Sequence, residues 1–100
     1  MELNDYQNQA RQTFIVEDKR LSYLGLGLNG EAGEVAERLK KRIRDDNEEN
    51  LKAELGDVLW YTAVLADELG YDLDEIASGN LAKLESRAER NKLQGDGDDR

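Results

Sequence analysis

Four acidic residues are spaced for chemistry. Glu31 and Glu34 close the tetrapeptide Glu31-Ala32-Gly33-Glu34, and Glu54 and Asp57 close Glu54-Leu55-Gly56-Asp57. Within each tetrapeptide the acids are three residues apart, which on a helix puts them about 60° apart on one face with Cβ atoms about 5–6 Å from each other. Two such pairs on facing helices make a cluster of four carboxylates. An oxygen-only donor set selects hard divalent cations such as Mg²⁺ or Mn²⁺, whereas thiolate and imidazole favour other metals. Carboxylates alone repel phosphate; with cations between, the same cluster attracts it.

Acids fill 23 of the 100 positions, so the same spacing also arises by accident, as in Glu34/Glu37, Asp45/Glu48, Asp46/Glu49 and Asp72/Glu75. Two features set the chosen pairs apart. Each contains a glycine, Gly33 or Gly56, inside a helical pattern where glycine costs about 1 kcal/mol relative to alanine, so something is expected to approach the backbone there. A solvated helix face also offsets Glu with Lys or Arg four residues on, as in Glu34/Arg38 and Glu37/Lys41, whereas Glu31, Glu54 and Asp57 meet Val35, Val58 and Tyr61 at that offset. The competing reading is a solvated acidic face.

The elements that must position these acids fit one small domain, residues 1–92, followed by a polar tail, residues 93–100. With 38% hydrophobic residues, 37% charged and no proline, the composition is that of a compact helical protein with a thin core, and association of protomers would bury the remaining apolar surface. The formal charge of −9 argues against nucleic acid or an anionic membrane as partner. Lack of cysteine removes disulfides and thiolate chemistry; lack of histidine removes the usual general base and Glu-x-x-His ligand pairs. The acidic, polar start Met1-Glu2-Leu3-Asn4-Asp5 is unlike a secretory signal and no apolar run approaches membrane-spanning length, so a cytoplasmic location is expected.

Asn4 or Asp5 is placed to cap a first helix bearing Tyr6, Ala10, Phe14 and Ile15 and ending between Val16 and Arg20. In the second helix Leu24, Leu28, Ala32, Val35, Ala36, Leu39 and Ile43 form a stripe beside Glu31 and Glu34, with Gly25, Gly27 and Gly30 pointing to close packing. Its basic end, Arg38 to Arg44, suits the helix dipole; the same cations are either a solvated terminus or phosphate contacts. After the polar turn Asp45 to Asn50, a third helix carrying Leu51, Leu55, Val58, Leu59, Thr62, Leu65, Ala66 and Leu69 is the expected central core helix, stopped by Gly70. Trp60 and Tyr61 lie beside its acidic face, open either to stacking on a base or to packing. Asp72 with Glu75 reads as a capping box for a fourth helix with Leu73, Ile76, Ala77, Leu81, Leu84 and Ala88 inward, and Asn80, Lys83, Arg87 and Arg90 on another face. Four helices with short connections predict an all-α, antiparallel four-helix bundle.

Gly30-Glu31-Ala32-Gly33-Glu34-Val35-Ala36-Glu37, followed at a distance by Glu54-Leu55-Gly56-Asp57-Val58-Leu59-Trp60-Tyr61, resembles the MazG nucleotide pyrophosphohydrolases of the all-α NTP pyrophosphatase superfamily, whose hallmark is Glu-x-x-Glu, a gap, then Glu-x-x-Asp. The resemblance extends to Asn80-Leu81-Ala82-Lys83-Leu84 with Arg87, and to Gly95-Asp96-Gly97-Asp98-Asp99-Arg100, similar to the tail of short phage and bacterial members. It implies Mg²⁺-dependent hydrolysis of a nucleoside triphosphate to the monophosphate and pyrophosphate, with Mn²⁺ a possible substitute. Glu31, Glu34, Glu54 and Asp57 would be the metal ligands, and Asn80, Lys83 and Arg87 would lie toward the substrate, Lys83 foremost for phosphate. Trp60 and Tyr61 would border the base. The resemblance also implies a homodimer or homotetramer with the pocket near the subunit interface.

The base in such a reaction must be a carboxylate, Glu34 or Glu37, or metal-bound hydroxide, since the chain has no histidine. Glu37 has the alternative role of pairing with Lys41. Two other readings compete: an acidic helical binding module for a basic partner, motivated by the net charge, and a regulatory homologue that keeps the fold without the activity.

Overall fold

A computed structural model describes residues 1–46, 50–91 and 94–98. Those residues form four helices and no strand: α1 (Leu3–Arg11), α2 (Arg20–Asp45), α3 (Lys52–Glu68) and α4 (Leu73–Glu89). No helix among them is long and apolar enough to cross a membrane. Residues 47–49 of the polar turn lie outside the described residues, as do residues 92–93 at the expected domain boundary and Asp99 and Arg100 of the tail.

The first helix stops earlier than its apolar spacing predicts. The Thr13 hydroxyl donates to the Ala10 carbonyl at 2.7 Å, and the Thr13 and Phe14 amides turn back onto Ala10 and Arg11, which tightens the chain into a loop at Arg11. Phe14 is still buried, but from the loop, and Ile15 is exposed. Neither Asn4 nor Asp5 caps α1, which starts at Leu3 after Glu2 without a side-chain cap.

Asn4 serves α4 instead. Its Oδ1 accepts the Asp74 amide at 3.0 Å, while Gln7 Oε1 accepts the Leu73 amide at 3.0 Å. The expected Asp72–Glu75 capping box is therefore absent: Asp72 makes no side-chain cap, and α1 supplies the acceptors for the first amides of α4. Buried Gln7 also donates through Nε2 to the Ala63 and Tyr71 carbonyls, each at 3.0 Å, tying α1 to α3 and to the turn before α4. That turn forms as the glycine predicts. Gly70 has φ +83°, its amide bonds Asp67 O at 3.0 Å and the Tyr71 amide bonds Ala66 O at 2.8 Å, a Schellman closure.

Helix α3 is central, packing against each of the other three, whereas α2 meets α3 and no other helix among the described residues. Early α2 lies against late α3 through Arg20, whose guanidinium pairs with Glu68 at 2.6 Å, donates to the Val16 carbonyl and lies 4.3 Å over the Phe14 ring. The core is small: Ala10, Phe14, Leu24 and Val64, with Tyr6, Val16, Trp60, Tyr61 and Leu65 packed around it. The leucine stripes extend well beyond it. Leu39 and Ile43 of α2, Leu55 and Leu59 of α3 with Leu69 just past its end, and Ile76, Leu81 and Leu84 of α4 stay exposed, Ile43 at 85%. A radius of gyration of 16.2 Å, against about 13 Å for a closed domain of this length, reflects the same openness.

Two outcomes test this packing. Gln7→Ala leaves two buried carbonyls and one amide without their partner and is expected to lower stability by about 2–4 kcal/mol in chemical denaturation, whereas Gln9→Ala on the exposed side changes it by less than about 0.5 kcal/mol. Glu68 is held below its ordinary value by its hydrogen bond from Arg20. A carboxylate depressed in the folded state stabilises above its unfolded pKa and loses that contribution as pH falls through the folded one. The melting-temperature gap between wild type and Glu68→Gln should therefore be open at pH 7 and close on acidification below pH 4.5, the ordinary value.

Candidate functional site

The approach of α2 to α3 that brings the acids near one another depends on a glycine. A Cβ at Gly27 would lie 2.1 Å from Tyr61 Cε1, so the Tyr61 ring rests directly on the α2 backbone. The close packing expected around Gly25, Gly27 and Gly30 thus occurs at Gly27, and no atom stands within 4 Å of the corresponding Cβ positions at the other two. The same holds for Gly33 and Gly56: among the described residues nothing from the chain itself approaches the backbone inside the two acidic tetrapeptides.

The four acids act on two different side chains, Tyr61 and Arg38, each influenced from both helices. Glu31 and Asp57 both act on the Tyr61 phenol, whose pKa is raised first by burial, then by Tyr23 through charge and a hydrogen bond, and then by these two carboxylates. Asp57 also faces Tyr6 of α1, where burial is the larger cause of the upward shift. Glu34 and Glu54 converge on Arg38, whose Nε lies 3.6 Å from Glu34 Oε1 and 2.9 Å from Glu54 Oε1. The Glu34–Arg38 pairing expected within α2 is present, but the same guanidinium gives Glu54 a cationic partner from across the helix pair, which no offset along α3 could reveal. Among the described residues no three acidic side chains are gathered closely enough to hold a metal ion.

The donor chemistry nevertheless suits a hard cation. All four side chains offer only carboxylate oxygen, and Glu54, with 14% of its side chain exposed, keeps Oε2 buried without a hydrogen-bond partner. A buried carboxylate oxygen in that position is costly unless something positive reaches it.

The remaining expected residues are distributed differently. Glu37 pairs with Lys40 at 3.2 Å, not with Lys41, so its neutralising partner is one residue nearer than the i,i+4 pattern predicts. Trp60 turns toward α1: its indole N–H donates to Thr13 Oγ1 at 2.8 Å and its ring meets Phe14 edge-on at 6.0 Å, the packing alternative to base stacking. Tyr61 meets Trp60 edge-on at 4.9 Å and is half-buried. Asn80 is exposed on α4. Lys83 pairs with Asp98 at 3.1 Å, and Arg87, 4% exposed, donates to the Asp98 carbonyl at 2.6 Å. Residues 94–98 of the polar tail thus lie across the two α4 cations, which hold the Asp98 carboxyl below its usual range, Lys83 contributing most. Among the described residues helix α4 packs on α1 and α3 and does not meet α2, which leaves these cations apart from Glu34 and Glu54. A polar concavity between α1 and the α3–α4 turn, lined by Gln7, Arg11, Asp67, Tyr71, Asp72 and Glu75, contains none of the expected site residues.

Residues 20–91, which span α2 to α4 and both acidic pairs, match the family model of the MazG nucleotide pyrophosphohydrolase domain. The chain belongs to the MazG family. A relative from Mycobacterium phage L5, the "Gene 37 protein", is 48% identical over 87 residues, covering 80% of this chain and 76% of that protein. No solved structure matches. The MazG match begins at Arg20, the residue that anchors α2 to α3, and leaves α1 outside, although α1 supplies the acceptors that hold α4. Sequence spacing missed two residues of this α2–α3 contact: Arg38, visible only as a surface partner of Glu34, and Gly27, hidden among three similar glycines.

Gly27→Ala is expected to displace Tyr61 and cost about 1–3 kcal/mol, as overpacking does. Gly25→Ala, with open space at its Cβ, should instead stabilise the helix by up to about 1 kcal/mol. Parallel chemical denaturation of both variants checks the contrast.

Proposed function

We propose that this MazG chain hydrolyses a ribo- or deoxyribonucleoside triphosphate to the monophosphate and pyrophosphate, with Mg²⁺ as the required ion and Mn²⁺ as a substitute. The observation carrying this reading is Glu54: a nearly buried carboxylate with one unpartnered oxygen, facing Glu34 through Arg38 across the α2–α3 pair of a MazG domain. MazG enzymes generally depend on a divalent metal.

In this reading Glu31, Glu34, Glu54 and Asp57 hold the ion. When bound, it offsets phosphate charge and makes a water more acidic. Lys83, Arg87 and Asn80 orient the phosphates, and Tyr61, with Trp60 behind it, borders the base. Water oxygen bonds to the α-phosphorus, its proton passes to the carboxylate of Glu34 or Glu37, and the bond from the α-phosphorus to the bridging oxygen breaks with its electron pair leaving on pyrophosphate.

Association into a homodimer or homotetramer completes the arrangement. The exposed leucines of α2, α3 and α4 supply the apolar surface for it, and the four-helix packing that one chain leaves open closes between chains. A second subunit would bring α4 cations toward the acids that its own chain leaves apart.

A pyrophosphate-release assay across the common NTPs and dNTPs with Mg²⁺ tests the reading. Wild type should release pyrophosphate and not orthophosphate, and Glu54→Gln should lose activity by a factor on the order of 10² or more, beyond what loss of an outer-shell partner causes. Unchanged activity in Glu54→Gln rejects the site; no activity on any nucleotide, with salt-sensitive capture of a cationic protein, favours the acidic binding module.

A further inference from the structure

We infer that Arg38 is a built-in counter-ion of this site: its guanidinium holds Glu34 and Glu54 together and competes with a divalent cation for the same carboxylates. The inference rests on the metal reading above and goes beyond it by assigning a residue that sets how readily the ion binds.

The geometry is specific. Arg38 rises from the last third of α2, one turn after Glu34, and its Nε reaches 2.9 Å from Glu54 Oε1 on α3 while remaining 3.6 Å from Glu34 Oε1. Glu54 has 14% of its side chain exposed, Arg38 37% and Glu34 53%, so the contact runs from a shielded acid on α3 to a solvent-facing acid on α2. Two carboxylates brought together across a helix pair repel each other. Both acids approach the same atom, Arg38 Nε, so the guanidinium offsets that repulsion by its charge.

A divalent ion held by Glu34 and Glu54 would compete for carboxylates that Arg38 already neutralises. Mg²⁺ takes carboxylate oxygens at about 2.0–2.1 Å, closer than any guanidinium contact, and a cation at that position repels the Arg38 charge a few ångströms away. Glu54 Oε1 is engaged by Arg38 while Oε2, buried, is not. A cation held here would find Oε2 of Glu54 without a partner and would have to compete with Arg38 for Oε1. Arg38 acts as a positioning residue: it keeps the two acids aligned when divalent cation is scarce and weakens cation binding by its charge.

Mn²⁺ binding, read from the loss of the free-ion signal in electron paramagnetic resonance, tests this on the full chain without substrate. Arg38→Gln should melt lower than wild type in metal-chelated buffer, because the acids lose their counter-ion, yet bind Mn²⁺ with a Kd about tenfold lower, because one competing charge is gone. Arg38→Lys, which keeps the charge but withdraws it from the Nε position between the two acids, should fall between. A residue with only a structural role would lower both stability and Mn²⁺ affinity, so an unchanged or higher Kd in Arg38→Gln overturns the inference. Should Arg38→Gln fail to fold, Arg38→Lys decides, a Kd equal to or above wild type counting against it. Wild-type Mn²⁺ binding that Glu54→Gln leaves intact would overturn the metal reading itself and this inference with it.

Discussion

The contact of α2 with α3 is the constraint on which the rest of the structure depends. It is fastened near one end by Arg20 and Glu68, near the other by Arg38 and Glu54, and between them by Tyr61 lying on the backbone of Gly27. Helices approach this closely only where a side chain is missing, and the glycine provides that. The same seam carries all four acids of the two tetrapeptides. Helix packing and candidate chemistry are therefore not separable here: a change that spreads the two helices also separates the carboxylates.

Helix α1 supports the seam from outside the matched family region. Gln7 fixes the carbonyls of Ala63 and Tyr71, and Gln7 with Asn4 supplies the acceptors that α4 lacks at its own N-terminus. Arg11 adds a 3.2 Å pair with Asp67. The polar residues of this short helix thus replace local capping with tertiary hydrogen bonds, which ties the starting point of α4 to the end of α3. Between them, the seam and this support leave most leucines of α2, α3 and α4 facing outward. Burying them would be a large hydrophobic gain, and none of the described residues of the chain covers them.

Much of this organisation was legible in the residues. The all-helical class, the four helices, the stop at Gly70, the centrality of α3 and the family itself follow from apolar spacing, a turn glycine and two short motifs. What spacing misread has a common cause. The end of α1 is decided by the Thr13 hydroxyl competing for a carbonyl, the cap of α4 by side chains nearly seventy residues away in sequence, and the partner of Glu54 by a cation on a different helix. Periodicity along one helix carries no information about any of these. The leucine stripes illustrate the same limit from the other side: they mark apolar faces correctly but do not say whether the covering surface belongs to the same chain.

The central claim is that acids from α2 and α3 share a divalent ion. Its most direct test is a crystal structure of the protein grown with Mn²⁺, using the anomalous scattering of the metal to locate it. The account predicts a peak bridging α2 and α3, within about 2.0–2.3 Å of carboxylate oxygens from Glu34 and Glu54. A peak held elsewhere, or full Mn²⁺ occupancy in the crystal with none of these four carboxylates coordinating it, would contradict it.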